Sequence, residues 1–207
     1  MKVYFVRHGE SKFNAIRHHQ HGRVELSPLG IKQAEIVAKR FKKIPIDIIL
    51  ASHFARAKKT AEIINETLHK PIIFDETLRE FKRPTEIEGL SFDNPVSIKI
   101  RKQIKDHFAE PTWHYSDEEN FFDLQARASS FLEHLNTRTE QNILVVSHEF
   151  TIQWIILSMM FGKDIKPEVY AHFHEFFRSK NTGITVCEKL DTGKWHLLGW
   201  NDHAHLD

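Results

Sequence analysis

A single cysteine, Cys187, stands among 207 residues, so neither an intrachain disulfide nor a cysteine-built metal site can form. Long hydrophobic runs are also missing. The longest apolar stretch, Ile152 to Phe161, is interrupted by Gln153 and Ser158 and falls short of the roughly 18 residues that a membrane span needs. At the N-terminus the apolar run stops at Arg7 and His8, so the apolar region of a secretory signal is lacking. Charge of either sign is not in excess: 29 Lys and Arg face 28 Asp and Glu, which argues against a general role at nucleic acid or membrane surfaces. The expectation is a soluble cytoplasmic protein whose basic sites are local; its oligomeric state is left open. Histidine, by contrast, is plentiful, with groups at His18/His19/His21, His172/His174 and His203/His205 among 15 in all. No HExxH helix or other complete ligand spacing accompanies them, so no metal and no cofactor is expected.

What is present reads as one α/β domain over residues 1–207, long enough for a real core. Short runs rich in β-branched residues occur at Val3 to Val6, Ile46 to Leu50, Ile72 to Phe74, Ile143 to Val146, Ile184 to Val186 and Trp195 to Leu198. Helical patterns lie between most of them. The first opens on Ser27-Pro28, a capping residue followed by proline at the first helical position, and places Ile31, Ala34, Val37, Ala38 and Phe41 on one face. Others are expected over Ala55 to Leu68, Pro95 to Phe108, Phe121 to Leu135 and Thr151 to Phe161. Such alternation predicts a three-layer sandwich: a mainly parallel central sheet with helices on both faces. Residues 81–120, mixing Pro84, Pro95, Pro111, aromatics and charges, read as an insertion forming a lid or substrate wall.

In open α/β sheets the binding crevice lies beyond the carboxyl ends of the strands. Those ends are followed here by Arg7-His8-Gly9-Glu10-Ser11, by Ser52-His53-Phe54-Ala55-Arg56, by Leu78-Arg79-Glu80 and by Ser147-His148-Glu149. Two guanidinium groups and two imidazoles can surround a tetrahedral dianion, and a histidine in that field can attack phosphorus. Gly9 is expected to let the backbone approach the bound group. Glu80 can protonate a leaving alkoxide if its pKa is raised.

The segment Val6-Arg7-His8-Gly9-Glu10-Ser11, with Asn14 three residues on, resembles the signature of the histidine phosphatase superfamily, the phosphoglycerate mutase-like proteins. Three further stretches extend the resemblance over most of the chain: Leu26-Ser27-Pro28-Leu29-Gly30 with Gln33-Ala34, Ser52 to Ala57 with Thr60-Ala61-Glu62, and Leu144 to His148. The resemblance implies a phosphoglycerate mutase-like fold and no need for a metal. It implies that His8 is the nucleophile, that Arg7, Arg56 and His148 complete the phosphate pocket, and that Glu80 is the proton donor. Ser11, Asn14 and, near a commonly basic position, Arg17 would line or support substrate binding.

Two departures matter. Glycine usually follows the second histidine, but Glu149 stands here, and in the acid-phosphatase branch an acidic residue at that place is the proton donor. Glu149 therefore rivals Glu80, unless it only tops the next helix. The stretch after Glu80 lacks the basic, tyrosine-containing sequence of the mutase branch. The expected activity is therefore hydrolysis of a small phosphomonoester through a phosphohistidine; mutase or sugar bisphosphatase-type transfer and a non-catalytic phosphate-binding module are the alternatives. Lys82, Arg83 and the aromatic insertion would touch the organic part of the substrate; Lys99, Arg101, Lys102 and Lys105 are further candidates for that contact, although they read better as a solvated helix face.

Overall fold

The computed structural model describes residues 1–206. Strand β1 (Lys2–Arg7) leads into a one-turn helix α1 (Lys12–Ala15) and then α2 (Pro28–Phe41), whose cap is Ser27 with its side chain accepting from the Gly30 N–H. Strand β2 (Ile48–Ala51), helix α3 (Ala55–Leu68) and strand β3 (Ile72–Phe74) follow. Strand β2 begins later than its apolar run because Pro45 sits in a tight turn closed by Ile46 N–H on the Ile44 carbonyl. After β3 the chain leaves the sheet. Two 3-10 turns (Glu76–Leu78 and Thr85–Ile87) and helix α4 (Pro95–His107) precede α5 (Phe121–Asn136), which returns to it. Strand β4 (Asn142–Ser147), helices α6 (Glu149–Phe161) and α7 (Pro167–Phe176), and strands β5 (Ile184–Lys189) and β6 (Trp195–Asp202) complete the order.

The six strands run β3-β2-β4-β1-β5-β6. Strands β1 to β4 pair in parallel, while β5 and β6 add antiparallel neighbours at one edge. Side chains alternate across the sheet as the period of two requires. Val3, Phe5, Ile143 and Val145 enter one core with Phe131 of α5 and Trp154 of α6; Val6, Leu144 and Val146 enter the other with Phe41 of α2 and Ile64 of α3. Both faces are therefore covered. Ile31, expected on the buried face of α2, is instead 38% exposed, because it lies at the first turn, beyond the edge of the packed stripe. No helix among the described residues is long and apolar enough to cross a membrane.

Candidate active site

Strands β1 and β4 lie side by side in register, Arg7 opposite Ser147, so the residues that follow them emerge together. His8 and His148 come to 5.0 Å between ring centroids. Arg56 arrives from the first turn of α3, just beyond β2, and Glu80 from the turn after β3. Each loop is tied to the strand ends: His8 N–H donates to the Ser147 carbonyl at 2.9 Å, and Ser147 Oγ donates to the Leu78 carbonyl at 2.7 Å. Arg7, His8, Asn14, Arg56, Glu80 and Glu149 line one pocket of about 370 Å³, with His148 packed against His8.

The loop after β1 is held from α2 and α3. Gly9 N–H donates to Thr60 Oγ1 at 3.1 Å, Glu10 N–H to Gln33 Oε1 at 2.8 Å, and Ser27 Oγ to Glu10 Oε1 at 2.7 Å. Gly9 is required for packing within the fold as well. A Cβ there would meet the Gly30 carbonyl oxygen at 2.4 Å, and one on Gly30 would meet the Glu10 carbonyl oxygen at 1.9 Å. The loop thus approaches the start of α2 too closely for a side chain at either glycine.

His8 is buried and donates Nδ1–H to its neighbour's carbonyl, Gly9 O, at 2.7 Å. That bond fixes the tautomer and leaves the Nε2 lone pair for chemistry. Arg56 Nε donates to Nε2 at 3.2 Å. Burial first, then the charges of Arg56 and Arg7, hold the imidazole well below its ordinary pKa, so it is neutral at pH 7. Arg56 is itself buried, which pushes it down to about 10 and leaves it charged. Arg7 donates to the Ser179 carbonyl and pairs with Glu149 at 3.1 Å, while its Nε is buried without a partner. His148 is likewise held low, chiefly by burial. His148 Nε2 meets Ser52 Oγ at 2.9 Å, and Ser52 Oγ also accepts from Phe54 N–H at 3.2 Å. With the hydroxyl donating to Nε2, the proton of His148 sits on Nδ1, an atom that is buried and unpartnered too. Unpaired donors beside a neutral, oriented imidazole suit a phosphoryl group.

The two carboxylates differ sharply. Glu80 is raised above its ordinary pKa, chiefly by burial, with Glu149 adding to the effect and the arginines opposing it. Its Oε1 accepts the Phe81 N–H at 2.9 Å. Glu149 opens α6 and is spoken for: it pairs with Arg7 at 3.1 Å and with Arg178 at 2.8 Å, and accepts from Ser179 N–H at 3.3 Å.

Several expected residues fall elsewhere. Ser11 does not line the pocket; fully buried, it caps α1, accepting from Asn14 N–H and donating to Gln20 Oε1 at 2.7 Å, so it positions both. Arg17 has a side chain 70% exposed and meets Asp93 at 3.7 Å on the outside. Lys82 turns outward to Asp117 at 3.0 Å. Arg101 faces inward rather than to solvent and lines the pocket with His18, His19, Gln20, Arg83 and Phe92. His174 and Arg178, from α7 and the turn after it, were not anticipated, and neither was Asn181, whose Nδ2 donates to the His8 carbonyl at 2.9 Å. No group of His, Cys, Asp and Glu among the described residues is arranged to hold a metal ion.

Residues 3–203 fit the family description "Histidine phosphatase superfamily (branch 1)". A Hydrogenobacter thermophilus protein named "Putative phosphoserine phosphatase 2" is 34% identical over 159 residues, 75% of this chain and 76% of its own length. A Photorhabdus laumondii protein named "Probable phosphoglycerate mutase GpmB" is 30% identical over 217 residues, 100% of this chain and 95% of its own. Among solved structures, phosphoserine phosphatase from Entamoeba histolytica, in complex with 3-phosphoglyceric acid, superposes with a TM-score of 0.79 at 26% identity, covering 100% of this chain and 99% of that one.

Proposed function

The chain belongs to the histidine phosphatase superfamily, branch 1, and from that premise we propose that it hydrolyses small phosphomonoesters through a phosphohistidine on His8, with Glu80 as general acid and no metal. Nε2 of His8 attacks phosphorus as the bond to the leaving oxygen breaks. Glu80 gives that oxygen its proton. The ring then carries phosphate on Nε2 and keeps Nδ1–H on the Gly9 carbonyl, which supports the imidazolium charge. Arg7 Nε, Arg56 and His148 Nδ1–H take the phosphoryl oxygens. Water next attacks phosphorus, Glu80 as carboxylate accepts its proton, and the N–P bond breaks, returning His8 neutral and Glu80 protonated.

The observation that carries this reading is the orientation of His8: Nδ1 is occupied, Nε2 faces the guanidinium of Arg56, and the ring is neutral. The test is phosphate release from p-nitrophenyl phosphate by the wild type and by His8→Ala, with rapid quench to trap an acid-labile phosphoenzyme. Turnover that survives in His8→Ala overturns the proposal. Full-length similarity to a protein named as a phosphoglycerate mutase supports a second reading, phosphoryl transfer to an acceptor alcohol. Transfer of labelled phosphate to added glycerate phosphates in preference to water would favour it.

A further inference from the structure

The pocket that holds His8 is the smaller of two that meet. A second cavity of about 670 Å³ shares Phe81, Arg83, Arg101, Phe150 and His174 with it. Beyond that common wall, Ile104, Phe108, Leu124 and Tyr170 make the larger chamber aromatic and apolar, and exposed Glu168 and Glu175 stand at its rim. The common wall itself is cationic. Arg83 lies over the ring of Phe81 at 5.1 Å and that of Phe150 at 5.3 Å, and pairs with no carboxylate among the described residues. The carboxyl that acts on its charge is Glu80, which the mechanism keeps protonated. Arg101 spends Nη2 on the Phe92 carbonyl at 2.7 Å and leaves Nε buried without a partner. Opposite them His19, 1% exposed, meets Ser97 Oγ at 2.6 Å through Nε2 and leaves Nδ1 unpartnered.

Two guanidiniums that pair with no carboxylate among the described residues, together with His19 Nδ1–H when Ser97 Oγ donates to Nε2, suit an anion beside the one that Arg7 and Arg56 would hold. The chamber behind them is large enough for a drug-sized organic group. Resting on the phosphatase reading above, we propose that the substrate's leaving group is bipartite: a second anion close to the phosphate, bound by Arg83, Arg101 and His19, and an apolar or aromatic end in the larger chamber.

Four phosphomonoesters test this: propyl phosphate, 3-phosphonooxypropanoate, 3-phenylpropyl phosphate and 2-benzyl-3-phosphonooxypropanoate. The carboxylate is expected to raise kcat/KM about tenfold or more, as a charge-assisted bond does, and the ring about tenfold, as burial of an aromatic group does. Arg83→Gln and Arg101→Gln should each shrink the carboxylate ratio while leaving the ring ratio, and Phe108→Ala the reverse; ratios within one variant are insensitive to partial misfolding. Equal kcat/KM, within about threefold, for all four esters while p-nitrophenyl phosphate is still turned over through His8 overturns the bipartite site alone. If neither these esters nor p-nitrophenyl phosphate is turned over, the phosphatase reading fails instead, and the same ordering read as Kd on His8→Ala protein by calorimetry still decides the cleft.

Discussion

Glu80→Gln separates the roles of the two carboxylates. The amide is isosteric and can still accept the Phe81 N–H that now reaches Oε1 at 2.9 Å, so the turn keeps its shape. Only the proton is lost. For an alkyl phosphate, where the leaving alkoxide needs that proton, kcat/KM should fall about 10²–10⁴-fold, equivalent to ~3–5 kcal/mol of barrier. For p-nitrophenyl phosphate the phenolate leaves unaided, and kcat/KM should fall less than about tenfold. Steady-state turnover of the same ester should nevertheless collapse after a burst of nitrophenolate, because hydrolysis of the phosphoenzyme has lost its base.

Glu149→Gln should behave otherwise. It removes the charge that Arg7 and Arg178 meet at 3.1 and 2.8 Å, so at a pH where Glu80 still holds its proton it should lower kcat/KM on both esters by a similar factor, and it should cost stability, about 1–3 kcal/mol. Stopped-flow and steady-state kinetics of the two esters on the two variants provide the assay. A leaving-group-selective loss in Glu149→Gln, with none in Glu80→Gln, would refute the assignment.

Gly30→Ala should destabilise the fold by about 1–3 kcal/mol and slow turnover by shifting the His8 loop, although Ala in an open helix position would add about 1 kcal/mol; a raised midpoint in urea denaturation would contradict the 1.9 Å approach to Glu10. The unliganded protein should lose stability in acid. His8, His148 and His19, the last pushed down to about 3, stay neutral in the fold, whereas the unfolded chain takes up protons below roughly pH 6.5. Stability therefore rises with pH up to that value and is lost beneath it, at up to about 1.4 kcal/mol per pH unit for each such ring. Glu80, raised in the fold, opposes this by holding a proton that the unfolded chain releases. Urea unfolding between pH 7 and pH 5 should show a clear net loss.

Much of the architecture was legible because period-two runs and capped helical stretches alternate, and because the chemistry-bearing residues fall just after strands. Arg7, His8, Arg56, Glu80 and His148 could be placed together by that rule alone. Helix α7 was not foreseen, nor was Arg178 beyond it, although Tyr170 and Phe173 mark its buried face at helical spacing. Arg101 was misplaced as well. Charges at 99, 101, 102 and 105 look like a wet face, and only the burial of Ser97, one turn earlier on the same side of α4, reveals that Arg101 points inward. Arg17 shows the converse case, in which a family position is retained while the local fold turns the side chain outward, whereas Ser11 supports the pocket from beneath through Asn14 and Gln20.

The glutamate at 149 is then best understood through its neighbour. A general acid must keep its proton until the leaving oxygen takes it, yet Glu80 lies near two arginines that favour its ionised form. Burial overcomes them, and the charge of Glu149 pushes in the same direction while its ion pair offsets Arg7. A bound phosphate dianion pushes further. On an alkyl phosphate, kcat/KM should thus rise where His8 loses its proton, well below the ordinary imidazole range, and fall on a descending limb that marks ionisation of Glu80, above the ordinary carboxylate range. Replacing Glu149 by Gln removes a repelling charge and leaves Arg7 less offset, and both effects lower the pKa of Glu80. The descending limb should move to lower pH in Glu149→Gln and vanish in Glu80→Gln. A limb that stays in place in Glu149→Gln would mean that Glu149 acts on Arg7 and Arg178 alone and has no part in keeping the proton on Glu80.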